Sequence, residues 1–471
     1  MIFECRGHRA QTGDKSRLLT YEKCRSEEYK ARGVCAYSKA ISILNPITDA
    51  IHIVQGPIEC ATCATYAWNA RGSSSSMLTP YGERDNIFFY NERKLYRFMQ
   101  EMAVNYKPRA ILIYSTCMGE TEGCDINAVC KSATKDLRIP VIPVMPVMPS
   151  APVKTAGCTR FQAERGHKAA RDALLRLIGS TSYEPRSPYS VNIMGDYNIA
   201  GDLWPIRSYF EEIGIEVIST ITGDSRVEEI QRAHCANLNL VQCCSSMISL
   251  AKKLEEKYGT PYKRVSFLGI EETSSAIRAA AEFFEDFSMI NESEKMISRE
   301  TRRILQQIEH YIARIAGKRA AIYLNGASKA ASLIKALREL GIEVVAVGIR
   351  DGDWVDRQRI RNLIGSDAAD ADELDPFELK ELLVKKEADL VIPGIKEQYA
   401  VRELRIPFCD ICHDRTYAFE GFDGMINFAR EVDIAINNRT KKPQAKKKDR
   451  RGRPIGTIPK RGQSGTRKEC K

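Results

Sequence analysis

Apolar residues recur with two periods along this chain. Short unbroken runs at Ala50-Ile-His-Ile-Val54, Arg109-Ala-Ile-Leu-Ile-Tyr-Ser-Thr116, Val191-Asn-Ile-Met194 and Leu238 to Val241 predict buried strands of the parallel type. Strands covered by helices on both faces have no polar side to show. Between them a helical period predicts helices over Lys168 to Ile178, Ser246 to Tyr258, Thr273 to Phe284 and, longer and charged, Glu292 to Ile315. Strand and helix in alternation build an open parallel sheet, whose ligands sit in the crevice beyond the carboxyl ends of the strands. The pattern restarts at Arg319-Ala-Ala-Ile-Tyr-Leu324, turns at Asn325-Gly-Ala-Ser-Lys329, and resumes at Glu343-Val-Val-Ala-Val347. Later strand ends fall at Leu390 to Gly394 and Ile406 to His413. The turn at 325–329 offers a helix start for a phosphate, but it carries neither G-x-G-x-x-G nor the P-loop pattern.

Punctuation divides the chain. Ser180-Thr-Ser-Tyr-Glu-Pro-Arg-Ser-Pro188 reads as a linker, and Met145-Pro-Val-Met-Pro-Ser-Ala-Pro152 is too rich in proline for a helix. The expected division is a lead segment 1–33, domains 34–188, 189–316 and 317–438, and a tail 439–471. The net charge of +10 belongs to that tail: 13 Lys or Arg stand against 2 acids from Lys441 to Lys471, leaving residues 1–440 at −1. The tail is expected to be disordered, a solvated polycation. Its Arg451-Gly-Arg-Pro454 matches the core of a minor-groove hook, but nothing else in the chain looks like a base reader, so nucleic acid is not the expected partner. Hydrophobic content of 43% and charged content of 28% are those of a soluble globular protein. With no signal-peptide layout at Met1-Ile-Phe-Glu-Cys-Arg6 and no membrane-length apolar run, a cytoplasmic location is expected.

Fifteen cysteines change the picture. In a reducing compartment a disulfide framework is not expected, and thiolates there bind soft metals or do redox chemistry. Cys35, at a helix start, and Cys60 and Cys117, at strand ends, fall in one domain. Spread over about 80 residues, they fit an iron-sulfur cluster assembled by the fold. The pair Cys60 and Cys63 keeps a zinc site open, and scattered structural thiols are the other alternative to a cluster. Cys243 follows a third strand end, where an open sheet does its chemistry. His167, at an expected helix start, is either a ligand or proton donor or an ordinary polar residue near a helix N-terminus.

Longer stretches point to a family. Gly56-Pro-Ile-x-Cys60, Ser115-Thr-Cys117, Asp125-Ile-Asn-Ala-Val-Cys130, Gly195-Asp-Tyr-Asn-Ile-Ala-Gly-Asp-Leu-Trp204, Gly223-Asp-Ser-Arg226, Leu254-Glu-Glu-Lys-Tyr-Gly-Thr-Pro-Tyr262, Glu272-Thr-Ser-Ser-Ala-Ile-Arg278 and Tyr417-Ala-Phe-Glu-Gly-Phe-Asp-Gly424 together resemble the α-type subunits of the nitrogenase component 1 superfamily, most closely its cofactor-assembly scaffold branch. The resemblance covers about residues 32–438. It implies three Rossmann-like α/β domains with parallel sheets around a central metal-cluster cleft. It implies that Cys35, Cys60 and Cys117 contribute to an iron-sulfur cluster shared with a homologous β-type subunit in an α2β2 assembly. Cys243 would hold one end of a large iron-sulfur cofactor or its precursor, with molybdenum the candidate heterometal and Lys329 in the loop that closes over it. An ATP-dependent iron protein would supply electrons.

Two functions are compatible with the resemblance. A scaffold holds a precursor loosely enough to pass it on, and one thiolate suits that. A reductase of N2 or of another small substrate such as a methylthio-alkane anchors its cofactor at both ends and needs a proton donor. For the reductase, His167 is the candidate donor, and His413 falls in the segment where catalytic α subunits place a histidine ligand, two residues late by its spacing from Gly421. The chain also departs from the family at the extra Cys63 and at Glu122-Gly-Cys124-Asp125. The scaffold is the expected function and the reductase its alternative.

Overall fold

The computed structural model describes residues 35–69, 78–80, 92–116, 124–146, 159–242, 244–351, 354–364, 369–370, 374, 376–394, 398–411 and 415–437. The expected lead segment and tail lie outside them. Three parallel sheets organise these residues. The first has the order β1 (Ala50–Gln55), β2 (Ala110–Ser115), β3 (Val141–Val144). In the second, β4 (Ser190–Met194) lies between β5 (Glu216–Ile221) and β6 (Leu238–Val241), with β7 (Tyr262–Arg264) at the edge. In the third, β8 (Arg319–Gly326) lies between β9 (Glu343–Asp351) and β11 (Leu390–Pro393), and β10 (Ala369–Asp370) flanks β9. Every strand pair is parallel, as the apolar runs predict; β2 is buried at all six positions.

In the second sheet the chain moves from β4 out to β5 and returns to β6 on the other side of β4, so the strand order reverses at β4. Such a reversal opens a crevice at the carboxyl ends. The third sheet reverses in the same way between β8 and β11. The second sheet is also the middle of the packing. Val191, Ile193, Leu238 and Leu240 face a core continuous with Ile322, Leu333 and Phe422, whereas Met194, Ile221 and Val241 join the core of the first sheet with Tyr37, Val54 and Leu112.

Eight helices frame the sheets near their carboxyl ends or pack on those that do: α1 (Ala36–Leu44), α2 (Ile58–Asn69), α3 (Thr159–Leu177), α4 (Leu203–Glu212), α5 (Cys244–Tyr258), α6 (Phe287–Ile315), α7 (Ala327–Glu339) and α8 (Gly421–Asn437). α6 starts at Phe287, five residues before the expected Glu292, and a second helix departs further. α3 starts at Thr159, about two turns before the expected Lys168, so His167 lies in mid-helix and is half-buried. Gly166 does not break the helix; it lets α3 touch α1. A Cβ there would lie 2.5 Å from the Ala36 carbonyl oxygen. Among the described residues, no helix is long and apolar enough to cross a membrane.

The first sheet buries an imidazole. His52 Nδ1 lies 2.8 Å from the Tyr114 hydroxyl, with the two rings stacked, and burial lowers the His52 pKa to about 4. A histidine kept neutral in the native state loses stability as the pH falls through its unfolded value near 6.5, because only the unfolded chain then gains the proton. The loss should approach about 3 kcal/mol by pH 4 and be absent above pH 7. Urea midpoints at pH 7.5 and pH 5 check this: His52→Phe should show a shallower drop than the wild type, and equal drops would contradict the assignment.

Candidate functional site

Two thiols of the expected cluster site are described. Cys35 is exposed at the N-cap of α1, and Cys60 is half-buried in the first turn of α2. Tyr37, two residues after Cys35, donates its hydroxyl to the Cys60 carbonyl at 3.2 Å, which brings the two helix starts together. Cys117 and the side chain of Cys63 lie outside the described residues. Soft thiols at converging helix starts, one of them open to solvent, fit an iron-sulfur cluster.

The crevice of the second sheet is built from the stretches 195–204 and 417–424. After β4, residues 195–204 fold back on themselves. Asp196 Oδ1 accepts from the Asn198 amide at 2.5 Å, and Asn198, in the left-handed region at φ 52°, accepts the Leu203 amide on Oδ1 at 2.8 Å. Gly223, after β5, presses on this loop so closely that a Cβ would lie 2.6 Å from the Asp196 carbonyl oxygen and 2.7 Å from the Asn198 nitrogen. The loop turns Asp196 and Asp202 inward, where they meet Glu420, one residue before α8. All three are buried, each offering an oxygen within 4.8 Å of the others.

Cations and amides answer these carboxylates. Arg415 grips Asp202 with Nη1 at 3.1 Å and Nη2 at 2.5 Å, and the amides of Phe419 and Glu420 also donate to Asp202. Gln242 donates through Nε2 to Glu420 Oε1 at 2.6 Å and to Asp196 Oδ2 at 3.4 Å. Lys329, in the first turn of α7, brings Nζ to 3.9 Å from the same Glu420 oxygen. Burial, then the neighbouring Asp202 charge, pushes Asp196 up to about 6; burial, then Asp196 and Asp202, raises Glu420 well above the usual carboxylate range. Among the described residues three carboxylates stand against two cations, which is why Asp196 and Glu420 hold on to a proton more tightly than free carboxylates do. With Arg415 and Lys329 already inside, the trio is an ion network and not a cation site.

Cys243, His413 and Cys412 lie outside the described residues. On either side of position 243, Gln242 directly follows β6, its amide bonded to the Met194 carbonyl at 2.8 Å, and Cys244 opens α5. Gln242 Oε1 and Glu420 Oε2 are buried with no hydrogen-bond partner among the described residues. Unanswered polar atoms beside the cysteine position, with Lys329 opposite, fit a cleft made for a bound group. The structure thus brings Lys329 and the residue next to Cys243 to one place through Glu420. His167 is carried by α3.

Sequence reasoning missed Asp196, Asp202, Gln242, Arg415 and Glu420 as a unit. A signal was available in 195–204 and 417–424, where carboxylates flanked by glycine and aromatic residues recur, but nothing in one sequence says that positions more than 170 apart meet.

Comparison with known proteins agrees with this architecture. A family model described as nitrogenase component 1 type oxidoreductase matches residues 35–437. The nitrogenase iron-molybdenum cofactor biosynthesis protein NifE of Methanosarcina barkeri is 42% identical over 422 residues, 86% of this chain and 88% of that one. Its namesake from Clostridium pasteurianum is 38% identical over 412 residues, 86% of this chain and 87% of that one. Among solved structures, one titled nitrogenase Cp1 at pH 5 superposes with a TM-score of 0.75 at 25% identity, over 87% of this chain and 89% of its own. With its three parallel sheets and its thiols at helix starts, the chain belongs to the nitrogenase component 1 type oxidoreductase family.

Proposed function

We propose that this chain is the α-type subunit of a scaffold on which an iron-molybdenum-type cofactor is completed. The observation that carries the reading is its identity, across most of its length, with proteins named for cofactor biosynthesis, well above its identity with the solved nitrogenase. Cys35, Cys60 and Cys117 would hold an iron-sulfur cluster shared with a homologous β-type partner. Cys243 would hold the cofactor precursor by one thiolate, with Lys329 at the mouth of the cleft. The clusters supply one-electron transfer when bound, fed by an ATP-dependent iron protein. The exposed position of Cys35 suits a ligand that faces a partner subunit. A single thiolate suits a group that must be released, because few bonds then break on transfer.

The test is anaerobic purification with the β-type partner, iron analysis, and transfer of the loaded group to a cofactor-free reductase. Wild type should activate the reductase without turning over substrate itself, and Cys243→Ala should lose that transfer while keeping the iron that depends on Cys35. Substrate turnover that collapses in His167→Ala would instead identify a reductase. Unchanged iron and partner binding in Cys35→Ala would remove the shared cluster.

A further inference from the structure

We infer that Glu420 is a positioning residue for Cys243, acting through Gln242; this rests on the reading of Cys243 as the cofactor thiolate. Glu420 is fixed at its backbone on two sides: its amide donates to Asp202, and it bridges Leu268, while the next amide, of Gly421, donates to the Phe267 carbonyl at 2.7 Å. Asp202 is in turn clamped by Arg415, so the base from which the Glu420 side chain projects is rigid.

From that base one oxygen, Oε1, meets two walls of the cleft. It accepts from Gln242 at 2.6 Å, adjacent in sequence to Cys243, and lies 3.9 Å from Lys329 on α7. Gln242 is thereby held at both ends, its backbone by Met194 and its side chain by Glu420. A residue held at both ends fixes where the chain enters position 243, and that is how Glu420 would bear on a thiolate there. Side chains that orient a metal ligand in this way typically change metal affinity by about 10–100-fold when removed. The same contact explains why the stretch 417–424 carries a buried carboxylate at all. An apolar side chain there would leave Gln242 Nε2 without its short bond.

The experiment uses the chain with its β-type partner, loaded with iron and sulfide, and follows iron removal by bathophenanthroline disulfonate. The phase lost in Cys243→Ala belongs to the Cys243-bound group. Glu420→Ala should speed that phase by about tenfold and alter the electron paramagnetic resonance line shape of that group. Gln242→Ala should do the same with Glu420 and its ion network left in place, which covers the case in which Glu420→Ala fails to fold. Glu420→Gln keeps an oxygen for Gln242 and should release iron within about twofold of the wild-type rate. Wild-type rates in both Glu420→Ala and Gln242→Ala would overturn the inference, as would a Glu420→Gln protein as fast as Glu420→Ala. If Cys243→Ala loses no phase, the anchor reading itself fails, a result that does not depend on the Glu420 variants.

Discussion

Arg415→Ala is expected to lower the stability of the folded chain by about 3–5 kcal/mol, the range found when one partner of a buried ion pair is removed. The side chains of Arg415 and Asp202 are 2% and 1% exposed. Two guanidinium nitrogens meet the two carboxylate oxygens, and the guanidinium lies 4.7 Å from the centre of the Phe419 ring. Without Arg415, Asp202 keeps the amides of Phe419 and Glu420 but loses its counter-charge while Asp196 and Glu420 remain close. Its alternatives are to take up a proton or to draw in water, and both are costly in a buried site. Pairing the change with Asp202→Asn should recover a large part of the loss, since an amide oxygen still accepts the backbone N–H groups and no uncompensated charge is left. Denaturant unfolding of the two single variants and the double variant measures the coupling. A single-variant loss below about 1 kcal/mol, the value of a surface pair, would mean that the pair is not buried in solution.

The strands are legible in the chain because burial on both faces leaves an unbroken apolar run. Ala110 to Ser115 and Leu238 to Val241 lie where those runs predict. The place of Cys60 is legible for a related reason: it comes soon after the end of β1, and strand ends in an open sheet face the crevice. The start of α3 is hidden because glycine is a poor helix residue in isolation. Here the cost is offset by close packing on Ala36, a contact across 130 residues that no local window holds. The ion network is hidden for the same reason. Asp202 and Glu420 occur in two stretches each recognisable by itself, but their meeting depends on α8 crossing α4. Only the fold makes that contact, and it turns two family signatures into one wall of the cleft.

That crossing is itself open to test, since Phe422→Ala is expected to cost about 3–5 kcal/mol. Phe422 is fully buried as the second residue of α8, and its ring meets Tyr209 of α4 edge-on with centroids 5.3 Å apart. Its amide also donates to the Tyr209 hydroxyl at 3.2 Å, so the backbone there is held even when the ring is removed. A pinned backbone cannot collapse into the space left behind, which places the cost toward the upper part of the range because the cavity term is then felt nearly in full. Phe422→Leu, which refills most of the volume, should cost about 1–2 kcal/mol. In urea the midpoint of Phe422→Ala should fall while the slope with denaturant stays near that of the wild type, as for a change in stability without a change in the surface exposed. A loss below about 1 kcal/mol would show that α8 does not pack on α4, and the placement of Glu420 two residues earlier would go with it.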